Sequence, residues 1–335
     1  MGEPGGTVGQ GPDAAFRRVV ARLLDTAPER LRFSALSGGV SSDIWRVDGD
    51  HGTWCAKRAL PRLKVAGEWF APVSRNAEEV RWLRTARAWL GDRVAEVIAA
   101  DESAGVAVLA WYDPAVWRNW KADLLAGRVD PGCGARLGRL LGIVASRSAD
   151  AEDLAAAFAN DALFEALRIE PFFRHSAPRH PMVQPLIDAL TADRRCLVHG
   201  DFSPKNALVN DAGEVRVLDA ECACWGSPGF DPGYLLGHLL LKHLHREDDR
   251  LLDVARAFWR SYRDEVGERF GALDPLVVRM AGGMLLARVD GKSPVEYLAP
   301  EQAQAARGRG RRLLEKGAAS VERLLEQWTS GELDR

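Results

Sequence analysis

The sequence predicts an α+β protein of two lobes, a small β-rich lobe with one helix followed by a larger helical lobe. Short apolar runs separated by Gly- and Asp-containing turns fill the first third of the chain, which favours hairpins. After Asp113 and Pro114, apolar residues recur with helical spacing. At 335 residues, the chain is long enough for one large domain or for two lobes with an ample core.

The first lobe is predicted to contain five strands and one helix. Ser74 can cap a helix over residues 74–90, in which Val80, Leu83 and Ala86 recur on one face. Each predicted strand is a short apolar run bounded by turn residues, and the runs are residues 31–36, 44–47, 53–59, 94–99 and 105–110.

The second lobe is predicted to be helical, apart from a strand-like segment at residues 196–218. Asp274 and Pro275 suit the cap and the first position of one of its helices. The helices are expected at residues 115–126, 133–147, 154–167, 181–192, 234–245, 251–266, 274–286 and 302–328.

The last predicted helix carries an apolar stripe formed by Leu314, Val321, Leu325 and Trp328. We expect this stripe to pack on the lobe, and a dimer contact is the alternative. The chain is therefore expected to be a monomer or a homodimer.

Composition sets the boundaries of three parts. Residues 1–13 are rich in Gly and Pro and lack the apolar core of a signal peptide, so we expect a flexible tail. The small lobe is expected to cover residues 14–112, and the large lobe is expected to cover residues 113–335.

Charge, hydropathy and cysteine usage exclude several classes of protein. The 45 basic and 47 acidic residues give a net charge of −2, which does not favour a nucleic-acid partner. No apolar stretch is long enough to span a bilayer, so no membrane partner is expected. The five cysteines show no zinc-like spacing and fit a reduced, cytoplasmic location.

A carboxylate and an amide lie five residues apart in a short loop between two apolar runs. Asp201 and Asn206 belong to the sequence His-Gly-Asp-Phe-Ser-Pro-Lys-Asn, and Asp219 follows the next apolar run. Phosphoryl transfer needs one carboxylate to orient and deprotonate a hydroxyl, and an amide and a second carboxylate to hold Mg²⁺ on nucleotide phosphates. Each residue alone could be an ordinary turn residue. Their combination predicts that Asp201 is the catalytic base and that Asn206 and Asp219 are magnesium ligands.

The pattern His-Gly-Asp-x-x-x-x-Asn followed by Leu-Asp-x-Glu resembles the aminoglycoside phosphotransferase and choline kinase superfamily, which are relatives of protein kinases. Residues 226–234 look like the family's segment after the metal-binding aspartate. The resemblance implies a bilobal protein-kinase-like fold, with a nucleotide-binding first lobe and with the catalytic loop and acceptor site in the second. It also implies that Asp231 braces the catalytic loop, with His199 as a further structural support.

That fold implies a lysine on the third strand, paired with a glutamate on the following helix. Lys57 ends the apolar third strand and would reach the α- and β-phosphates. Glu78 and Glu79 are both candidates for its partner. Glu79 shares the inward, apolar face with Leu83, whereas Glu78 points about 100° away. We therefore choose Glu79.

Two backbone segments are expected to bind the nucleotide, which would be ATP or GTP. The segment where the lobes join, Ala110, Trp111 and Tyr112, would hold the adenine edge. The loop before the second strand would fold over the phosphates through its N–H groups, although any hairpin turn could contain its two glycines. Its residues are Ser37, Gly38, Gly39, Ser41 and Ser42.

Other nucleotide-binding classes are disfavoured. No Walker motif is present, and the glycines at 132 and 134 lack the preceding strand of a dinucleotide fingerprint. About a dozen residues separate Asp219 from Asp231, which leaves no room for the peptide platform of a protein kinase. Gly200 also replaces the arginine of the protein-kinase catalytic loop. The expected substrate is therefore a small hydroxylated molecule.

The acceptor is the least constrained part of the prediction. Arg288, Asp290 and Lys292, in an expected mixed-charge loop, are candidate substrate residues along with Asp201. An antibiotic of aminoglycoside or nucleoside type is one acceptor. A sugar is the alternative, because the Asp-x-Glu…Gly-x-x-Gly-Phe-Asp stretch resembles methylthioribose kinase. A nucleotide-binding pseudokinase and a helical interaction module stay open as other classes. We interpret one further basic cluster as a solvated helix face, and it consists of Arg307, Arg309, Arg311 and Arg312.

Overall fold

A five-stranded antiparallel sheet forms the first part of the chain. The computed structural model describes residues 11–36, 41–64 and 69–334. The strands are β1 (Arg32–Ala35), β2 (Ser42–Gly49), β3 (Gly52–Ala59), β4 (Val97–Asp101) and β5 (Val106–Ala110), in the order β1-β2-β3-β5-β4. All five were predicted. The fourth begins later than expected, because Val94 instead bridges Val217 of the second lobe.

Two helices pack on this sheet. Helix α1 (Ala14–Leu23) was not predicted, and its Phe16 and Val20 fill a small core against the sheet. Asp13, which we had assigned to the tail, caps α1 by accepting a hydrogen bond from the Phe16 N–H at 2.9 Å. Helix α2 (Arg75–Leu90) follows β3 and buries its apolar face in the main core.

The second part of the chain is helical, as predicted, so the expected α+β, kinase-like architecture is confirmed. Among the described residues, no helix combines the length and apolar character that a bilayer span requires. The α-helices are α3 (Trp120–Leu125), α4 (Pro131–Ser148), α5 (Glu152–Ala157), α6 (Asp161–Phe164), α7 (Gln184–Ala192), α8 (Phe230–Arg246), α9 (Arg250–Val266), α10 (Asp274–Asp290), α11 (Pro300–Glu315) and α12 (Val321–Ser330), and a π-helical segment covers Glu165–Arg174.

Short strands carry the segment that the sequence marked as catalytic. The strand order is β6-β8-β9 in one small sheet and β10-β7 in another, and all their pairings are antiparallel. The catalytic loop therefore runs from β7 to β8, and Asp219 follows β9. The strands are β6 (Arg118–Asn119), β7 (Cys196–Val198), β8 (Ala207–Val209), β9 (Val215–Val217) and β10 (Cys224–Gly226).

Glycines set the close approach of α4 to α9. Gly134, Gly138 and Gly142 recur every four residues, which places them on one face of α4. A Cβ atom at Gly138 would lie 2.1 Å from the carbonyl oxygen of Phe258 on α9. The two backbones therefore pack at a distance that only a residue without a side chain permits.

Three predicted helices are wrong in extent. The helix expected at residues 115–126 covers only Trp120–Leu125, because Arg118 and Asn119 form β6. The helix expected at residues 302–328 is two helices, α11 and α12, because Gly317 between them takes the left-handed φ of +66°. The helix expected at residues 154–167 is divided into α5, α6 and the π-helical segment, which contains Pro171. The stripe of the last predicted helix packs inside the lobe, with Val321, Leu325 and Trp328 buried.

Candidate active site

The catalytic loop is fixed by a carboxylate beneath it. Asp231, in the first turn of α8, accepts hydrogen bonds from the backbone N–H groups of His199 at 2.7 Å and Gly200 at 3.0 Å. Gly200 has a φ of +76°, and a Cβ atom there would lie 2.2 Å from the Cys222 carbonyl oxygen. A glycine is therefore required at this position, and the brace implied for Asp231 is geometrically present.

His199 connects the catalytic loop to the end of β9. Its Nε2 lies 3.0 Å from the carbonyl oxygen of Leu218, and its Nδ1 accepts the Asp201 N–H at 3.2 Å. The ring also packs edge-on against Trp82 of α2, with 4.8 Å between centroids. Burial lowers the pKa of His199 to about 4, so the ring is neutral near pH 7 and donates its one proton to Leu218.

Asp201 is held by three polar side chains. Its Oδ2 lies 2.9 Å from Arg168 Nη2 and 2.9 Å from Lys205 Nζ, and its Oδ1 accepts the Tyr234 hydroxyl at 3.0 Å. Burial alone would raise the pKa of Asp201, but the charges of Arg168 and Lys205 outweigh it and hold the pKa well below its usual range. The carboxylate therefore stays ionised.

Asn206 and Asp219 are brought together by the backbone. Asn206 donates its amide Nδ2–H to the Asp201 carbonyl oxygen at 2.9 Å, and the Leu218 N–H donates to the Asn206 carbonyl oxygen at 2.9 Å. Asp219 takes a φ of +61°, and its side chain is 28 % exposed. The amide oxygen of Asn206 and one carboxylate oxygen of Asp219 are thus available as ligands. This donor set fits Mg²⁺, which prefers oxygen ligands.

Lys57 joins the sheet to this pair. Its Nζ lies 2.9 Å from Glu79 Oε2 and also contacts Asp219 Oδ1. Glu78 instead pairs with Arg81 at 2.6 Å, so the geometry selects Glu79 as the partner. Burial would lower the pKa of Lys57, but the charges of Asp219 and Glu79 hold it well above its usual value. The ammonium group is therefore charged.

Arg75, which sequence reasoning missed, ties three parts of the cleft together. Its guanidinium is fully buried and lies 3.3 Å from Glu221, two residues after Asp219. It also donates to the carbonyl oxygens of Ser41 and Leu60, the latter at 2.6 Å. An arginine at the start of a helix gave no signal in the sequence, because each of its partners lies in another element.

The two backbone segments expected to bind nucleotide are only partly described. Ser37, Gly38 and Gly39 lie outside the described residues. Ser41 and Ser42 are buried at the start of β2, and the Ser42 hydroxyl has no hydrogen-bond partner among the described residues.

One backbone group of the expected adenine-binding segment is already engaged within the fold. The Ala110 N–H donates to the Glu96 carbonyl oxygen at 2.9 Å, so this group is already engaged within the sheet. The guanidinium of Arg46 lies over the Trp111 ring, 5.1 Å from its centroid. The Tyr112 hydroxyl accepts the Glu96 N–H at 3.3 Å, and its ring packs on Trp117. Trp111 and Tyr112 therefore remain the candidates for contact with a base.

The predicted substrate loop is mostly helix. Arg288 and Asp290 lie in the last turn of α10, and only Lys292 lies beyond it. Asp290 is buried and accepts hydrogen bonds from Arg307 at 2.9 Å, with His180 Nε2 at 2.8 Å. The Asp290 carboxylate therefore holds α10 against α11. Both of its oxygens are already bonded, which contradicts the substrate role expected for it.

Lys292 and most of the arginines of α11 also form bonds within the described structure. Lys292 pairs with Glu170 at 2.9 Å. Arg309 pairs with Asp334 at 2.6 Å, and Arg311 donates to His180 at 3.1 Å. The interpretation as a solvated face is therefore wrong for Arg307 and Arg309, which are partly buried in ion pairs. It agrees with Arg311, which is exposed, and Arg312 has no hydrogen bond or ion pair among the described residues.

A sheet lobe, a helical lobe and this cleft between them define a protein of the kinase-like fold. A sequence model of the phosphotransferase enzyme family, APH, matches residues 32–274, and the chain belongs to this family. The resemblance read from the catalytic loop is thereby confirmed.

Several known proteins are similar to this chain. Methylthioribose kinase of Geobacillus kaustophilus (strain HTA426) is 28 % identical over 262 residues, 66 % of this chain and 65 % of that protein. The same enzyme of Geobacillus thermodenitrificans (strain NG80-2) is 28 % identical over 57 % of this chain and 55 % of that protein. The chain thus spans less than two thirds of these relatives.

Solved structures show the likeness in fold. The microcompartment-associated aminopropanol kinase superposes with a TM-score of 0.53 at 17 % identity, over 95 % of this chain and 99 % of that one. The macrolide 2′-phosphotransferase of Brachybacterium faecium gives a TM-score of 0.51 at 16 % identity, over 90 % and 97 %.

Proposed function

We propose that this protein transfers the γ-phosphate of ATP or GTP, with Mg²⁺, to a hydroxyl group of a small molecule. One observation carries the proposal: a buried lysine, Lys57, contacts both Glu79 and Asp219, and Asp219 is tied through the Asn206 backbone to the loop that holds Asp201. This arrangement supplies a cation for the phosphates, two oxygen ligands for a metal and a carboxylate for the acceptor.

The side chains divide the chemistry between them. Bound Mg²⁺, held by Asn206 and Asp219, would neutralise charge on the phosphates. Lys57 is kept charged by Glu79 and would bind phosphate oxygens. Asp201 accepts a hydrogen bond from the acceptor hydroxyl and so aims its oxygen at the phosphorus. Because Arg168 and Lys205 hold the pKa of Asp201 low, we expect it to take the proton late in the transfer.

The first candidate acceptor is an aminoglycoside or nucleoside antibiotic, which would give the protein a role in resistance. The second candidate is a sugar, because the similar relatives include methylthioribose kinases. A pseudokinase is disfavoured because Lys57, Asp201, Asn206 and Asp219 are all present in the cleft. The free thiols of all five cysteines support a cytoplasmic location.

The test is ADP release over a panel of sugars, aminoglycosides and nucleoside antibiotics. Asp201→Asn should lower turnover by about 10²–10⁴-fold and keep nucleotide affinity. Asp211→Asn is the matched control, because this carboxylate is 93 % exposed and pairs with Arg118 rather than with a residue of the catalytic loop, and it should behave as wild type. Equal turnover in wild type and Asp201→Asn would contradict the assignment of the base.

A further inference from the structure

Helix α8 presents a polar stripe that begins at the catalytic carboxylate. Tyr234, His238 and Lys242 are spaced four residues apart, so they lie on one face of the helix. Tyr234 donates its hydroxyl to Asp201 at 3.0 Å, and its ring lies 5.1 Å from that of His238. The stripe therefore extends about 12 Å along the helix axis from the reacting position.

Lys242, at the far end of the stripe, is a buried amine that pairs with no acidic side chain among the described residues. It is 1 % exposed, and it makes no ion pair or hydrogen bond with any residue that the structure describes. His238 is 8 % exposed and is likewise without a hydrogen-bond partner in the described part of the chain. Burying an unpaired ammonium group is costly, so a protein retains one where another requirement demands it.

A second cation reaches the same region from α10. Arg288 bonds to Ser293, but its Nε atom is buried and has no partner among the described residues. Its guanidinium carbon lies 5.7 Å from the centroid of Phe172, which is 6.0 Å from the Tyr234 ring. Residues two apart on a helix point about 200° apart, so Arg288 faces away from the side on which Asp290 is bonded.

Aromatic rings lie beside both basic side chains. Lys242 Nζ lies 5.4 Å from the centroid of Tyr297, whose buried hydroxyl also has no partner in the described residues. With Phe172 and Tyr234, this ring gives the region an apolar body and a cationic end.

Within the described part of the chain, no acidic side chain forms an ion pair with Lys242 or Arg288. The acid whose charge acts on Lys242 is Glu296, and it is already paired with Lys121. Burial lowers the pKa of Lys242 to about 7, and the charges of Lys121 and Arg288 act in the same direction. A bound anion would relieve this repulsion, whereas a second cation would add to it.

We propose that the acceptor carries an anionic oxygen group, a carboxylate or a phosphate, which binds Lys242 and Arg288 while its hydroxyl lies at Asp201. This inference rests on the proposed function and names the class of its substrate. The neighbouring rings of Phe172, Tyr234 and Tyr297 favour an acceptor with a planar or apolar middle. Polycationic aminoglycosides are disfavoured at this site.

The experiment compares matched ligands in calorimetric titrations with saturating Mg-ADP. The probes are 4-(hydroxymethyl)benzoate, the corresponding phenyl phosphate and the neutral benzamide. Wild type should bind at least one anion about tenfold more tightly than the amide, because charge-assisted hydrogen bonds replace the missing counterion. Lys242→Met should abolish the preference for the anion. Arg288→Gln should weaken it, and this second variant keeps the test possible if Lys242→Met does not fold. Lys316→Met, a change at an exposed lysine, should keep it.

The outcomes separate this inference from the proposed function. A preference for the carboxylate or for the phosphate identifies the group. No preference of wild type for either anion across the millimolar range, or a preference that persists in Lys242→Met, would overturn the inference even if Mg-ADP binds. Failure of Mg-ADP to bind, with the anion preference intact, would instead overturn the proposed kinase function.

Discussion

The neutral, buried ring of His199 makes stability depend on pH. The unfolded chain binds a proton at this residue below a pH of about 6.5, whereas the folded protein does so only near 4. Protonation therefore favours the unfolded state, and stability should fall as the pH drops from about 6.5 to 4, by at most about 3 kcal/mol for this residue. Urea unfolding at several pH values measures the effect. His199→Asn should flatten that part of the profile, and an unchanged slope would contradict the assignment.

The choice between two adjacent glutamates gives a matched pair of variants. Glu79→Gln removes the buried partner of Lys57, whereas Glu78→Gln removes a partly exposed partner of Arg81. We expect Glu79→Gln to lower turnover or nucleotide affinity by at least about tenfold, because Lys57 loses the charge that holds it toward the phosphates. Glu78→Gln should stay close to wild type. Steady-state kinetics in varied ATP would show the difference, and equal effects of the two changes would argue against the pairing.

The site residues that could be predicted from the sequence are those whose neighbours in the chain form a recognisable motif. Asp201, Asn206 and Asp219 lie in short loops next to apolar runs, so their spacing could be read directly. Arg168 and Arg75 could not be found in this way, because their partners lie in distant segments that only the fold brings together. The four-residue spacing from Tyr234 to Lys242 was visible, but its meaning depends on Asp201 lying at one end.

At the scale of elements, the contact of α4 with α9 depends on small residues. Gly138→Ala would place a Cβ atom 2.1 Å from the Phe258 carbonyl oxygen, so the helices must separate. We expect a loss of about 1–3 kcal/mol in unfolding free energy. Gly308→Ala on α11 meets no atom within 4 Å and should instead stabilise by up to about 1 kcal/mol. Thermal and denaturant unfolding of both variants provide the measurement, and a neutral Gly138→Ala would contradict the packing account.

Helices and strands were predicted well where the apolar residues recur with one spacing along the whole element. The strands of the sheet and α9 agree with their apolar patterns. The segment from α5 to the end of the π-helical stretch did not, because the helix is interrupted between Ala157 and Asp161 and then continues with a π-helical pitch, which a spacing of 3.6 residues does not predict. The break at Gly317 was missed because an isolated glycine does not reveal its φ from sequence.

At the scale of the whole molecule, two buried ion pairs join the sheet lobe to the helical lobe. Lys57 contacts Asp219, and Arg75 contacts Glu221, so both acids of the Leu-Asp-x-Glu motif are engaged from the first lobe. The relative position of the lobes is therefore coupled to the same residues that would hold the metal. The sequence predicted the two lobes, but it could not predict this coupling, because it depends on side chains that meet across the cleft.

The central claim is that this cleft binds a nucleotide through a metal held by Asn206 and Asp219. The most direct test is calorimetric titration of ATP with and without Mg²⁺, on wild type and on Asp219→Asn. The account predicts binding to wild type that is at least about tenfold tighter with Mg²⁺, and loss of that difference in Asp219→Asn. Binding of ATP that is indifferent to Mg²⁺, or a metal dependence that survives in Asp219→Asn, would contradict it.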